Sequence, residues 1–263
     1  MAEQIWAVVT GASSGIGAAI AERLATLKWN VMLVGRDVAT LEAEAETIRK
    51  ASAVETLIIS ADLSTQAGID RVKQVVSEKS LTIRALVNNA GFGIHSPFVD
   101  SNSADETRMI DLQLKTMIDL TKAFLPGMIA AKSGRILNVA SVYAFSPVPN
   151  QAVYAACKAF MLSFSRTLAL ELHGTGVTIS VLCPGITMTR FRSSAGMKEK
   201  KSSFSMTSEA VAEIAVRGML NGKFTIVPGW HNTLYTVMAR CVPAEVLGQF
   251  TRWFNRKRGL AER

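Results

Sequence analysis

The chain has 263 residues, 49% hydrophobic and 19% charged, which is ample apolar material for one sizeable core and too much for a disordered chain. Cys157, Cys183 and Cys241 share no short ligand-like spacing and cannot all pair within one chain, which argues against a disulfide scaffold or zinc site and for a reducing compartment. The net charge of +8 is concentrated in Arg190 to Lys201 and Arg240 to Arg263, each with an excess of +4, so the rest is neutral and offers no general basic face to nucleic acid.

The amino terminus has no basic region, and the apolar run Ile5 to Val9 is too short for the core of a signal peptide. No stretch approaches the roughly 18 apolar residues of a spanning helix. A cytoplasmic protein, soluble or peripheral to a membrane, is therefore expected. Ile5 to Val9 predicts a first strand, which runs into Thr10-Gly11-Ala12-Ser13-Ser14-Gly15-Ile16-Gly17 and the helical Ala18 to Leu24. In such a strand-turn-helix, Gly11 permits a tight turn, Gly15 lets backbone amides approach a pyrophosphate, and Gly17 lets helix and strand pack closely. The three residues between the first two glycines depart from the general dinucleotide fingerprint.

A second strand, Val31 to Val34, ends in Gly35-Arg36-Asp37. An acidic group there would bind the ribose hydroxyls of NAD, and an arginine the additional phosphate of NADP. Asp37 also has a plain role as amino-terminal cap of the helix starting near Val38. Arg36 comes first and can pair with a phosphate dianion, which favours NADP.

Further strands are predicted at Thr56 to Ile59, Ala85 to Val87, Ile136 to Val139, Val177 to Leu182 and Phe224 to Val227. Helical spacing lies between them, as in Leu112, Met117, Leu120, Phe124 and Leu125, and in Ala159, Leu162, Leu168 and Leu172. This alternation predicts a doubly wound α/β domain, with a parallel sheet in the order 3-2-1-4-5-6-7 and ligands at the strands' carboxyl ends. The division expected is a catalytic domain over 1–230 and an amphipathic, basic extension over 231–263.

Tyr154 and Lys158 are four apart in a helical segment, hence on one face, and a neighbouring ammonium favours the phenolate. Ser141 ends the fifth strand, thirteen residues before Tyr154, where its hydroxyl can hold a carbonyl oxygen.

With Asp62-Leu63 after strand three, Asn88-Asn89-Ala90-Gly91 after strand four and Pro184-Gly185-Ile186-Thr187-Met188-Thr189 after strand six, residues 5 to 230 resemble the short-chain dehydrogenase/reductase family, in its Tyr-x-x-x-Lys branch. The resemblance implies that Asp62 touches the adenine, that Asn88 to Gly91 line its ribose, and that Thr187 and Thr189 meet the nicotinamide. It implies a reversible carbonyl reduction, in which Tyr154 protonates the oxygen, Lys158 holds the nicotinamide ribose and lowers the tyrosine pKa, and Ser141 stabilises developing charge. It also implies a homo-oligomer. Gln113 stands where the family usually has a catalytic asparagine. It keeps the amide but adds a methylene, which reshapes the proton-relay site while leaving Ser-Tyr-Lys intact.

Phe92 to His95, Tyr143 to Val148 and Ile186 to Met206, with Met188, Phe191, Met197, Phe204 and Met206, predict an apolar pocket wall with no carboxylate for a sugar or amine. A small lipophilic ketone or aldehyde suits it. No metal site is expected from His95, His173 and His231. After Pro243, Val246, Leu247, Phe250, Trp253 and Phe254 recur on one helical face, which packs on the same subunit, covers the pocket, joins an oligomer or lies on an anionic membrane. Rival functions are a 3-oxoacyl-thioester reductase, whose acidic carrier would meet Arg190 to Lys201, and a catalytically weak dinucleotide-binding sensor or scaffold.

Overall fold

The computed structural model describes residues 4–189 and 205–243, with Val246, Gly248 and Gln249. The apolar, β-branched runs form seven strands: β1 (Ile5–Thr10), β2 (Asn30–Gly35), β3 (Thr56–Ser60), β4 (Thr82–Asn88), β5 (Gly134–Val139), β6 (Val177–Leu182) and β7 (Thr225–Ile226). All pair in parallel, in the order β3-β2-β1-β4-β5-β6-β7, as the alternation predicts.

Successive strand residues point to opposite faces, and because both sets are apolar, both faces require cover. Ala7, Val9, Val31, Leu33 and Val87 pack with α1 (Gly15–Thr26), α2 (Val38–Ala51) and, beyond the later loops, α7 (Ser208–Leu220). Trp6, Val8, Met32, Val34 and Leu86 pack on the other side with α3 (Gln66–Glu78) and α5 (Thr116–Ala130). The helices supply matching stripes, such as Leu41, Ala45 and Ile48 of α2. Each fully buried aliphatic side chain of this kind contributes on the order of 1.5–3 kcal/mol.

Asp37 accepts the Thr40 amide at 3.1 Å and so caps α2, while Thr65 caps α3, Asn102 caps α4 (Ser103–Ile110) and Thr207 caps α7. Helix α1 differs, since Ser14 at its start gives no side-chain cap. Between α4 and α5 the chain makes a π-helical turn, Asp111–Lys115, where the sequence periodicity reads as one uninterrupted helix. The Thr116 hydroxyl there bonds the Leu63 carbonyl and lies 3.2 Å from that of Asp111.

After α6 (Ala152–Glu171) and β6, the chain departs near Met188 and returns at Met206. The two points are tied by Met188 N to Met206 O at 2.9 Å and Met206 N to Ile186 O at 3.0 Å. Helix α8 (Trp230–Cys241), the described part of the carboxyl-terminal extension, returns to the turn Val142–Phe145. Its polarity is inverted: Asn232 and Thr236 are buried, whereas Trp230 is 75% exposed and Leu234, Val237 and Met238 also face outward. Tyr235 bonds Ser146, and the Arg240 guanidinium sits 5.1 Å from the Phe145 ring centroid. Among the described residues no helix is long and apolar enough to cross a membrane.

Candidate active site

The strand order reverses between β1 and β4, and the crevice at their carboxyl ends is tied by one hydroxyl. Thr10 Oγ1 donates to the Val87 carbonyl at 3.1 Å and accepts the Asn89 and Ala90 amides at 2.9 and 3.0 Å, which uses its one donor and both acceptor sites. Asn89 Nδ2 donates to the carbonyls of Thr10 and Gly11 at 2.9 and 3.1 Å. Asn89 thus staples the glycine turn to β4, a role hidden in the sequence because its partners come from a strand far back in the chain.

Gly11 and Gly15 adopt φ of +65° and +62°, where side chains are strained. A Cβ at Gly17 would overlap the Gly11 carbonyl oxygen, and one at Gly15 would lie 3.0 Å from Thr189 Cγ2. The glycines therefore keep open a cradle that side chains would fill, at the uncapped amino end of α1. That arrangement fits a dinucleotide, with the backbone of Ser13, Ser14, Gly15 and Ile16 facing the phosphates. Arg36, exposed, makes no side-chain hydrogen bond or ion pair with the described residues, while Asp37 is engaged as a cap.

Other residues of the expected cofactor set have their side chains committed. The Asn88 amide is buried and donates from Nδ2 to Asn138 Oδ1 at 2.8 Å, while its own Oδ1 is buried without a partner. Asp62 accepts from Ser64 and pairs with Arg108 at 3.0 Å. Burial would raise its carboxyl, but the Ser64 hydrogen bonds and the Arg108 guanidinium outweigh that and hold it below the usual carboxylate range. Leu63 is buried, and Pro184 accepts the Val142 amide at 3.1 Å. A side chain at Gly185 would overlap the buried Asn232 of α8, so the extension abuts the nicotinamide end of the expected site. Thr187 is buried, with Oγ1 3.3 Å from the Gly185 carbonyl.

Ser141, Tyr154 and Lys158 are all buried and come together beneath the turn Val142–Phe145. Ser141 accepts the Tyr143 amide at 3.2 Å and shares a side-chain hydrogen bond with Tyr154. The Tyr143 ring meets that of Tyr154 edge-on, with centroids 6.5 Å apart. Lys158 Nζ lies 5.4 Å from the Tyr154 ring centroid and donates to the Val139 carbonyl at 2.9 Å.

The electrostatics differ from the expected ones. Burial, reinforced by Tyr143 and Cys157, raises the Tyr154 phenol well above its ordinary value despite the opposing Ser141 hydrogen bond. The lysine does not override this, since burial also acts on its own ammonium. Lys158 falls to about 8, with the Cys157 and Cys183 thiols opposing the fall. Those buried thiols are themselves pushed up by burial, Cys183 to about 12, and are unreactive at neutral pH.

The lysine shift has a measurable sign. Below about pH 8 Lys158 is protonated in both folded and unfolded chains, and the cost of burying its ammonium is fully present. From about 8 towards its ordinary value of 10.5 only the unfolded chain keeps the proton, so the lysine's contribution to stability becomes more favourable as pH rises. The wild-type Tm is therefore expected to gain on that of Lys158→Met across this window. Over the same range kcat/KM should fall as the ammonium is lost.

Gln113 occupies the π-helical turn, 2% exposed, and donates through Nε2 to the Phe92 carbonyl at 2.7 Å. Its Oε1 is buried without a partner, and a Cβ at Gly91 would lie 3.2 Å from its side chain. The longer amide thus braces the loop after β4.

Beside Tyr154 a cavity is lined by Ile94, Phe98 and Met109, but also by Ser101, Glu106 and Gln151. In this cavity, which shares only Ile94 with the loops expected to form the pocket wall, Glu106 is half-buried and accepts the Ser101 hydroxyl at 2.7 Å. It reaches the site from α4, a helix the sequence reading did not connect with the pocket. Of the residues expected in the wall, Met188 is exposed and Met206 partly buried, while Phe191, Met197, Phe204 and Arg190 to Lys201 lie outside the described residues. So do Leu247, Phe250, Trp253 and Phe254.

Residues 5–200 match the family described as short chain dehydrogenase. The chain belongs to that family. Hydroxysteroid dehydrogenase-like protein 1 of Gallus gallus is 31% identical over 255 residues, 95% of this chain and 76% of the relative. The very-long-chain 3-oxoacyl-CoA reductase of Anas platyrhynchos is 33% identical over 223 residues, 82% of this chain and 71% of that one. Among solved structures, the short-chain dehydrogenase from Sphingobium yanoikuyae in complex with NADPH superposes with a TM-score of 0.81 at 29% identity, covering 97% of this chain and 94% of that one. This short-chain dehydrogenase is accordingly an oxidoreductase.

Proposed function

We propose that the protein reduces a hydrophobic ketone or aldehyde to its alcohol with NADPH, at a site formed by Ser141, Tyr154 and Lys158. The observation that carries this reading is the buried cluster of those three side chains, with Ser141 bonded to Tyr154 and the Lys158 ammonium 5.4 Å from the phenol ring. Bound nicotinamide would supply the hydride. Tyr154, whose burial keeps its proton on at neutral pH, gives that proton to the carbonyl oxygen. Ser141 hydrogen-bonds the same oxygen as charge develops, and Lys158, fixed by the Val139 carbonyl, keeps a positive charge nearby.

NADPH is preferred because the Arg36 guanidinium is uncommitted while Asp37 is engaged as a cap; the NADPH-bound Sphingobium relative agrees. Arg36→Ala should lower kcat/KM with NADPH by about ten- to a hundredfold and leave NADH little affected. Equal losses with both cofactors would remove the phosphate role. The overall reading is tested by NADPH oxidation across aliphatic, aromatic and steroid carbonyls, with Tyr154→Phe alongside.

The Anas relative favours a second reading, in which the carbonyl belongs to a 3-oxoacyl thioester. Raised salt should then weaken a carrier-linked substrate far more than a small ketone. A homo-oligomer accords with the family.

A further inference from the structure

The cavity beside Tyr154 is faced by a nearly buried carboxamide that no described residue engages. Gln151, three residues before Tyr154 at the start of α6, is 5% exposed, lines the cavity, and makes no side-chain hydrogen bond with any described residue. A carboxamide has two donors and an acceptor, and here the cavity is the one place where they can find a partner. Of the other polar residues lining the cavity, Ser96, Ser101, Asn150, Tyr154 and Glu106, only Glu106 carries a carboxylate. Glu106 accepts the Ser101 hydroxyl through Oε1, which leaves Oε2 as an acceptor.

We infer that Gln151 and Glu106 form a subsite for a second polar group of the substrate, a neutral hydroxyl within a few carbons of the reacting carbonyl. This deepens the reductase reading and rests on it. A hydroxyl can donate to the Glu106 carboxylate and accept from the Gln151 amide at once, which satisfies both. An ammonium can only donate, and it would carry a full charge past Ile94, Phe98 and Met109. The cavity, about 10 Å³, has room for one water-sized group, so the substrate class is a hydroxylated carbonyl compound whose hydroxyl alone enters it from the Tyr154 side. Selectivity arises because a substrate lacking that hydroxyl leaves the Gln151 amide and Glu106 Oε2 without this partner.

The test is calorimetric binding of 1-hexanol and of hexane-1,4-, 1,5- and 1,6-diol to the full-length protein with NADPH present. Alcohol and reduced cofactor do not react together, so this readout is independent of turnover. One of the diols should bind about tenfold or more tighter than 1-hexanol. Gln151→Leu should bring that ratio close to one, and Glu106→Gln, which preserves shape, should lower it severalfold. Equal affinities in the wild type, no saturable diol binding, or a preference that survives both substitutions overturns the subsite. Tighter binding of 6-amino-1-hexanol than of any diol overturns the neutral-hydroxyl assignment. Failure of the reductase reading would look different, as carbonyl turnover that is absent or indifferent to Tyr154.

Discussion

Tyr154→Phe should lower kcat/KM for carbonyl reduction by about a thousandfold, within the range general-acid groups contribute, while dinucleotide affinity changes by no more than a few fold. Tyr154 is buried and its ring meets Tyr143 edge-on, so phenylalanine keeps the packing and removes only the hydroxyl. Ser141 retains the Tyr143 amide as a partner, so no polar group is left wholly unpaired. Single-turnover kinetics with a saturating ketone, beside fluorescence titration of NADPH, separates the two effects. Retained turnover would mean that some other group delivers the proton, and the cluster would lose its assigned role.

Gly17→Ala should be more damaging to the fold than its single methyl suggests. The added Cβ meets the Gly11 carbonyl oxygen and lies 2.5 Å from Asn89 Nδ2, and the first is backbone held in a positive-φ turn. Neither can withdraw without breaking the staple between Asn89 and the glycine turn. The cost is about 2–3 kcal/mol of stability, the scale of overpacking in a well-filled interior. Because the same shift displaces the amides at the start of α1, NADPH affinity should fall at least tenfold. Thermal unfolding and NADPH titration read both quantities. Gly127→Ala is the control, since a Cβ there meets nothing within 4 Å.

The sheet was readable from sequence because strands covered on both faces are nearly continuous apolar runs, as in Val31 to Val34, and turn residues delimit them. The glycine loop, Ser141 and the Tyr154–Lys158 pair were readable because each is defined by short spacing on one element. What escaped depends on distant elements. The π-helical turn is stabilised by the Thr116 hydroxyl reaching Leu63, after a different strand, and apolar periodicity carries no trace of it. The direction of the Tyr154 shift depends on burial under the turn Val142–Phe145, which outweighs a lysine one helical turn away. Glu106 enters the cavity only when α4 folds across the start of α6. Gln151 had a local signal, an amide three residues before the tyrosine. Helix α8 lies within the amphipathic extension expected from sequence, but its orientation escaped because it places Asn232 and Thr236 inward, against the rule by which apolar stripes are read as buried.

The ties between Ile186, Met188 and Met206 bring together the two ends of the stretch between them. Closure entropy changes slowly with loop length once ends are fixed, each doubling costing only about 0.6 kcal/mol. With the ends held in this way, a change in the length of residues 190–204 should cost the scaffold little. Length in that interval is in this sense open to evolutionary drift, and a library of insertions and deletions confined to it should leave the Tm within a few degrees of the wild type.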